Sequence, residues 1–217
     1  MREVVDRYAP VLKEAGFRKQ RHCFNRAMPD GIVHVVYFWM APKEPPAWTE
    51  VPGLRERLYG SFRLDVGIHV PEMNRSHEPR STWINDYDCQ LRRTVGQLLS
   101  GNDRNDLWWR LDDPASSDAA GDGLAVHALP WLAQFPTKES ILDAYDRVGS
   151  LAIGLSPAGA LDIADLSRAL GQPARERRVL EGYVASPVLR GHAEYLGKYL
   201  LDRGHGDLVE RIAIRPS

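Results

Sequence analysis

Ser61-Phe62-Arg63-Leu64-Asp65-Val66-Gly67-Ile68-His69-Val70-Pro71 is the stretch whose reading decides the fold. Phe62, Leu64, Val66, Ile68 and Val70 alternate strictly with Arg63, Asp65, Gly67 and His69. A period of two is that of a strand with successive side chains on opposite faces. The stretch therefore predicts a strand with one buried apolar face and one polar face that carries groups able to do chemistry. Each other segment is placed by what it offers to either face.

Upstream, Ile32 to Ala41 is apolar on both sides, with Ile32, Val36, Phe38 and Met40 on one and Val33, Val35, Tyr37 and Trp39 on the other. That pattern suits a central strand covered above and below, and His34 is its polar exception. Phe17 to Ala27 reads as a basic strand joined to it through the turn Pro29-Asp30-Gly31. Val4, Val5, Tyr8, Val11, Leu12 and Ala15 recur at helical spacing, so the chain opens with an amphipathic helix that ends at Gly16 and bends at Pro10.

Downstream, the Pro-rich stretch Pro42 to Pro52 with Trp48 and the polar stretch Glu72 to Ser81 read as loops. Asp88 to Leu99 reads as a strand or strand pair, and Leu107 to Leu111 as a short last strand in which Trp108 and Trp109 face opposite ways. Asp112 to Gly123, rich in Asp, Ser, Ala and Gly, reads as a flexible connection. Helices follow: one through Leu124, Val126, Leu129, Leu132 and Phe135, and one capped by Thr137. Leu151 to Leu155 is a turn or a last strand. Ser156-Pro157 opens a helix that runs to Gly171, Pro173 opens a second, and after Ser186-Pro187 a third runs from Val188 to Arg203. Arg175-Glu176-Arg177-Arg178 is expected to be their surface. The fold expected is α+β: an antiparallel sheet of four to six strands on an N-terminal helix over residues 1–150, with a helical C-terminal subdomain over 156–217.

Of 217 residues, 43% are hydrophobic, enough for a sizeable core. Twenty-eight basic residues against 29 acidic ones leave a net charge of -1, so no global field draws in nucleic acid or anionic lipid. Nearly all the basic residues are Arg, interleaved with Asp and Glu as on solvated faces. Cys23 and Cys89 are expected to be free buried thiols. No apolar run of about 18 residues and no leader-like N-terminus occurs, so a cytoplasmic protein with no membrane partner is expected.

Leu12 to Phe17 (LKEAGF), Phe24-Asn25-Arg26, the strand Phe62 to Ile68, Cys89, Trp108-Trp109 and Leu129-Pro130-Trp131-Leu132 together resemble the bacterial domain of unknown function 4304. The resemblance covers roughly residues 1–150. It implies a compact bacterial α+β domain and no particular activity, cofactor or catalytic residue.

Asp65 and His69 share the polar face with Arg63, and Gly67 between them leaves room for close approach. Acid plus imidazole is a general-base pair in form, but four residues of strand separate them by about 13 Å. Cross-strand ion pairs from Asp65 to Arg21 or Arg92 are the structural expectation. His22, His34, His69 and His77 show no metal-ligand spacing, and neither a metal nor a cofactor is expected. No nucleophile-elbow, phosphate-loop or dinucleotide pattern occurs. Trp48 and Trp83 lie in loops flanking the central strand, where aromatics serve recognition. Two readings follow. One is a non-catalytic module that holds a protein partner through Trp48 and Trp83, a type that includes immunity proteins. The other is an enzyme or small-ligand binder on the face around Arg63, Asp65 and His69.

Overall fold

The computed structural model describes residues 2–44, 58–73, 82–101 and 107–215. The chain divides into two compact units, Met1–Ser156 and Pro157–Ser217.

The first unit is built on an antiparallel sheet of six strands, ordered β1 (Arg18–Gln20), β2 (Cys23–Ala27), β3 (Val33–Met40), β4 (Ser61–His69) and β5 (Leu91–Thr94), with β6 (Trp109–Arg110) also paired to β4. The register sets Phe24, Val36, Val66 and Arg93 in one row and Asn25, Val35, Gly67 and Arg92 in the next. Adjacent rows face opposite ways, so β4 sends Phe62, Leu64, Val66 and Ile68 to one side and Arg63, Asp65, Gly67 and His69 to the other.

Helix α1 (Arg2–Glu14) turns Val4, Val5, Tyr8 and Leu12 inward, and the Tyr8 ring stacks on Phe38 with centroids 5.7 Å apart. It runs through Pro10 and stops at Gly16, whose φ of 85° lets the Phe17 N–H reach back to the Leu12 carbonyl at 2.9 Å. On the opposite face, Ile84 and Cys89 pack on Cys23 and Val35, with Val33, Tyr37 and Trp83 around them. The expectation of a single buried face on β4 is thus corrected. Every β4 residue except Arg63 is buried, because the segment 82–90 covers the polar side as well.

Other boundaries differ from expectation for local reasons. Phe17 to Ala27 is not one strand but two, β1 and β2, since Arg21 takes a left-handed φ of 55° and turns the chain. Asp88 to Leu99 is mostly not strand: a 3-10 turn (Asp86–Asp88) and the short β5 precede helix α2 (Val95–Ser100). Thr94 and Gln97 start that helix with a reciprocal capping box, each side chain bonded to the other's backbone N–H. Asp112 to Gly123 is not a flexible connection either. Asp113 accepts hydrogen bonds from the N–H groups of Ala115 and Ser116, Pro114 takes the first helical position, and helix α3 (Pro114–Gly123) results.

Small residues let α3 approach closely. A Cβ on Gly121 would stand 2.9 Å from the Tyr8 ring, and one on Gly123 2.7 Å from Val95. A π-helical segment (Leu124–Ala128) continues into α4 (Leu129–Ala133), and α5 (Lys138–Val148) follows its Thr137 cap. Leu151–Ile153 forms a 3-10 turn, after which the Gly154 carbonyl accepts the Arg92 backbone N–H at 2.8 Å along the outer edge of β5.

The second unit contains α6 (Ala160–Ala169), α7 (Pro173–Val184) and α8 (Arg190–Asp202). Pro173 opens α7 as expected. The other two helices start later than expected, α6 after a turn at 157–159 and α8 after Val188 forms a parallel bridge with Ile214. The charged stretch 175–178 is not all surface. Glu176 is buried, and its Oε1 accepts from Arg168 of α6 (2.8 Å) and bonds His205 (2.9 Å), which offsets the cost of burying the carboxylate. Asp165 is likewise buried, its Oδ1 accepting from Tyr199 of α8 (2.8 Å) and from Arg203 just beyond it (2.6 Å). Among the described residues no helix is long and apolar enough to cross a membrane.

Candidate functional site

The polar face of β4 holds the candidate residues, and the register decides which of them meet. Arg63 and Asp65 are two apart on one strand and join as a forked pair, Nε on Oδ1 at 2.7 Å and the terminal nitrogen on Oδ2 at 2.8 Å. Burial raises the Asp65 carboxyl above its usual proton affinity, and the Arg63 hydrogen bond and charge act against that shift. The expected partners Arg21 and Arg92 are therefore replaced by Arg63. Arg92 instead bonds Asp86 at 2.7 Å.

His69 is buried elsewhere on the face, where its Nδ1–H donates to the Asp88 carbonyl at 2.9 Å. Asp65 and His69 are thus each engaged by a different neighbour and are not brought together as a general-base pair. Trp83 is half-buried and packs on the cluster of Cys23, Val35, Ile84 and Cys89. Trp48 lies outside the described residues.

The Cys23 thiol donates to the Ile84 carbonyl, and burial pushes its pKa up to about 11. Cys89 is pushed well up for the same reason. Thiols kept protonated in this way are poor nucleophiles. Asn25 adds a two-point clamp, donating to the Ile84 carbonyl (2.8 Å) and accepting its N–H (3.0 Å), so the covering segment is held as though by one rung of sheet.

Sequence reasoning missed the residues around Arg63. Its guanidinium lies 6.0 Å from the Trp39 ring centroid and 5.2 Å from that of Trp108. Tyr37 meets Trp39 edge-on at 5.3 Å. The Trp39 indole N–H donates to Asp86 Oδ2 at 3.2 Å. Tyr87, next in sequence, is 60% exposed and Trp39 is 37% exposed. Alternation along β3 already places Trp39 on the face of Arg63, its cross-strand partner. Nothing local announces Asp86, because its environment is made by residues far away in the chain.

This arrangement is chemically suited to recognition. Arg, Trp and Tyr stand side by side, the guanidinium and rings attract each other, and the charges nearest them are paired. Among the described residues no group of three or more His, Cys, Asp and Glu side chains is placed to hold a metal ion.

Fold and site together define an α+β domain with an antiparallel sheet and an aromatic, guanidinium-bearing face. Within it, residues 56–134 match the model of a family described as a domain of unknown function (DUF4304). No curated protein and no solved structure matches the chain.

Proposed function

We propose that this protein is a cytoplasmic interaction module that holds a protein partner through the face formed by Trp39, Arg63, Trp108 and Tyr87, in the manner of immunity proteins and without turning over a substrate. The observation that carries this reading is the Arg63 guanidinium lying near two tryptophan rings, of which Trp39 is 37% exposed. Tryptophan, tyrosine and arginine are the residues that dominate binding energies when they cluster at the centre of an interface that closes over them. The pairing of Arg63 with Asp65 and of Arg92 with Asp86 leaves the face locally near neutral, which favours a protein over a polyanion. Trp48 and Trp83 stay in this reading as candidate contacts with the partner.

The test is affinity capture from the native host's lysate with the wild type and with Trp39→Ala, Trp48→Ala and Trp83→Ala, each checked by melting temperature. A partner retained by wild type and lost on Trp39→Ala at unchanged melting is the expected result. A captured set indifferent to all three substitutions overturns it.

A second reading, an enzyme or small-ligand binder around Asp65 and His69, draws support from the raised proton affinity of the Asp65 carboxyl. Its mark is an activity abolished by Asp65→Asn or His69→Ala while capture by the Trp39 face is unchanged.

A further inference from the structure

The turn that joins β1 to β2 runs against local preference. Arg21 takes it at a φ of 55°, a left-handed conformation that glycine or asparagine adopts at less cost in a hairpin turn. Backbone strain kept at one residue points to a use for its side chain. Arg21 is exposed.

The register sorts its neighbours. Lys19 lies opposite Phe24, on the side of α1, and is held there by Asp6; Arg18 lies opposite Asn25, on the side of the sheet that carries Trp39 and Arg63. The Phe38 N–H reaches the His22 carbonyl at 3.0 Å, one rung beyond the pair Cys23 and Tyr37, so the turn lies alongside Phe38 and Trp39. His22 senses the charge there: burial lowers its pKa, and Lys19 and Arg21 lower it further. Within the face Asp65 is engaged by Arg63 and Asp86 by Arg92, and among the described residues no carboxylate pairs with the exposed Arg18 or Arg21. The docking face is thus near neutral at its centre and cationic along this border.

Resting on the reading that this face takes a protein, we infer that the partner lays an acidic segment over the β1–β2 turn, with its carboxylates on Arg18 and Arg21, next to its contact with Trp39. A planar guanidinium matches a carboxylate with two parallel N–H groups. Charges at the border of an interface steer encounter and set its register, which suits a pair of cations beside an aromatic centre. A nucleic acid strand is the poorer fit, since two guanidiniums neutralise few phosphates and the chain around them has a net charge of -1.

The experiment titrates the full-length protein with blocked hexaglutamate peptide and, separately, with its hexaglutamine counterpart and with single-stranded hexathymidylate, following the backbone amides and the Trp39 indole N–H by NMR. A saturable shift centred on Arg18 to His22 is expected with hexaglutamate, several-fold weaker at about 0.2 M salt than at about 0.05 M, and none with hexaglutamine. Hexathymidylate is expected to bind more weakly than hexaglutamate. Arg21→Gly keeps the left-handed turn without the charge, so it is expected to melt no lower than the wild type and to bind hexaglutamate several-fold more weakly. The peptide series uses the wild-type chain and so does not depend on any variant folding. No saturable shift with hexaglutamate, an equal one with hexaglutamine, a shift centred on another element, binding of hexathymidylate as tight or tighter, or undiminished binding by Arg21→Gly combined with Arg18→Gln overturns the inference. If hexaglutamate fails while capture still depends on Trp39, the inference falls alone and the docking face stands.

Discussion

Arg26 and His34 face each other across the β2–β3 ladder, and the guanidinium donates to Nδ1 of the imidazole at 2.9 Å. An arginine can only donate, so Nδ1 carries no proton, and the hydrogen on Nε2 goes to the Phe135 carbonyl at 2.9 Å. Both ring nitrogens of a fully buried histidine are thereby committed to the neutral form. Burial lowers its pKa to about 4 from an ordinary 6.5, with the nearby Arg26 charge adding to the shift and the Phe135 bond opposing it.

A pH dependence follows from that pair. The unfolded chain protonates His34 near 6.5 and the folded one near 4, so the unfolded state binds more protons between those values. Stability is fully present above about 6.5 and falls as the pH drops toward 4, by about 3 kcal/mol in total from this group. Urea unfolding at pH 7, 5.5 and 4 on wild type and His34→Gln measures it. The wild type is expected to lose more than the variant over this interval, and parallel losses contradict the assignment.

Gly67 lies under the covering segment, and a Cβ there would stand 2.7 Å from both Cβ and Sγ of Cys89. Gly67→Ala is therefore expected to destabilise by about 1–3 kcal/mol through overpacking. Gly182, inside α7, has open space around it, and Gly182→Ala is expected to stabilise by about 0.5–1 kcal/mol through helix propensity alone. Opposite signs from the same substitution in denaturant melts are the check.

Val66 sits in the middle of β4 between Val36 and Arg93 and is 1% exposed. Val66→Asp buries an unpaired carboxylate at a cost of several kcal/mol, against a total stability of about 5–15 kcal/mol. Loss of cooperative unfolding is expected. An unchanged melting temperature means the face has been assigned the wrong way round.

Asp113 holds the start of α3 through two backbone N–H groups. Asp113→Ala is expected to cost about 1 kcal/mol, and Asp113→Ser much less, because serine restores a capping oxygen. A thermal melt of the two side by side measures the difference, and equal losses contradict the cap.

A chain ending at Ser156 is expected to keep its sheet and a cooperative melt while circular dichroism loses the contribution of α6 to α8. Complete unfolding of that shorter chain means the C-terminal helices belong to one folding unit with the sheet.

Much of this architecture was legible because period and capping are local. The alternation of Phe62 to Val70 gave the central strand its face, the two-sided apolar run from Ile32 gave its covered neighbour, and Thr137 and Pro173 marked helix starts. Helix α3 was legible in principle: Asp113-Pro114 is a cap followed by a proline at the first helical position, but a composition of Ala, Ser and Gly masked it. Burial of the polar β4 face was not legible. It depends on segment 82–90 folding back, anchored by Asn25, some 59 residues away in sequence, and no local signal encodes such a contact. The pairing of Asp65 escapes a cross-strand reading because its partner, Arg63, is the next outward residue on the same strand.

The carbonyl of Gly154 on the outer edge of β5 has one more consequence. A glycine is needed there, with φ at 88° and a Cβ that would meet the Arg92 carbonyl oxygen at 2.8 Å, and it occupies a hydrogen-bonding position that an incoming strand would use. At the opposite border β1 is only three residues long, and its Arg18 and Lys19 are exposed. The β1 border and this position on β5 are thus blunted against annealing with a foreign strand.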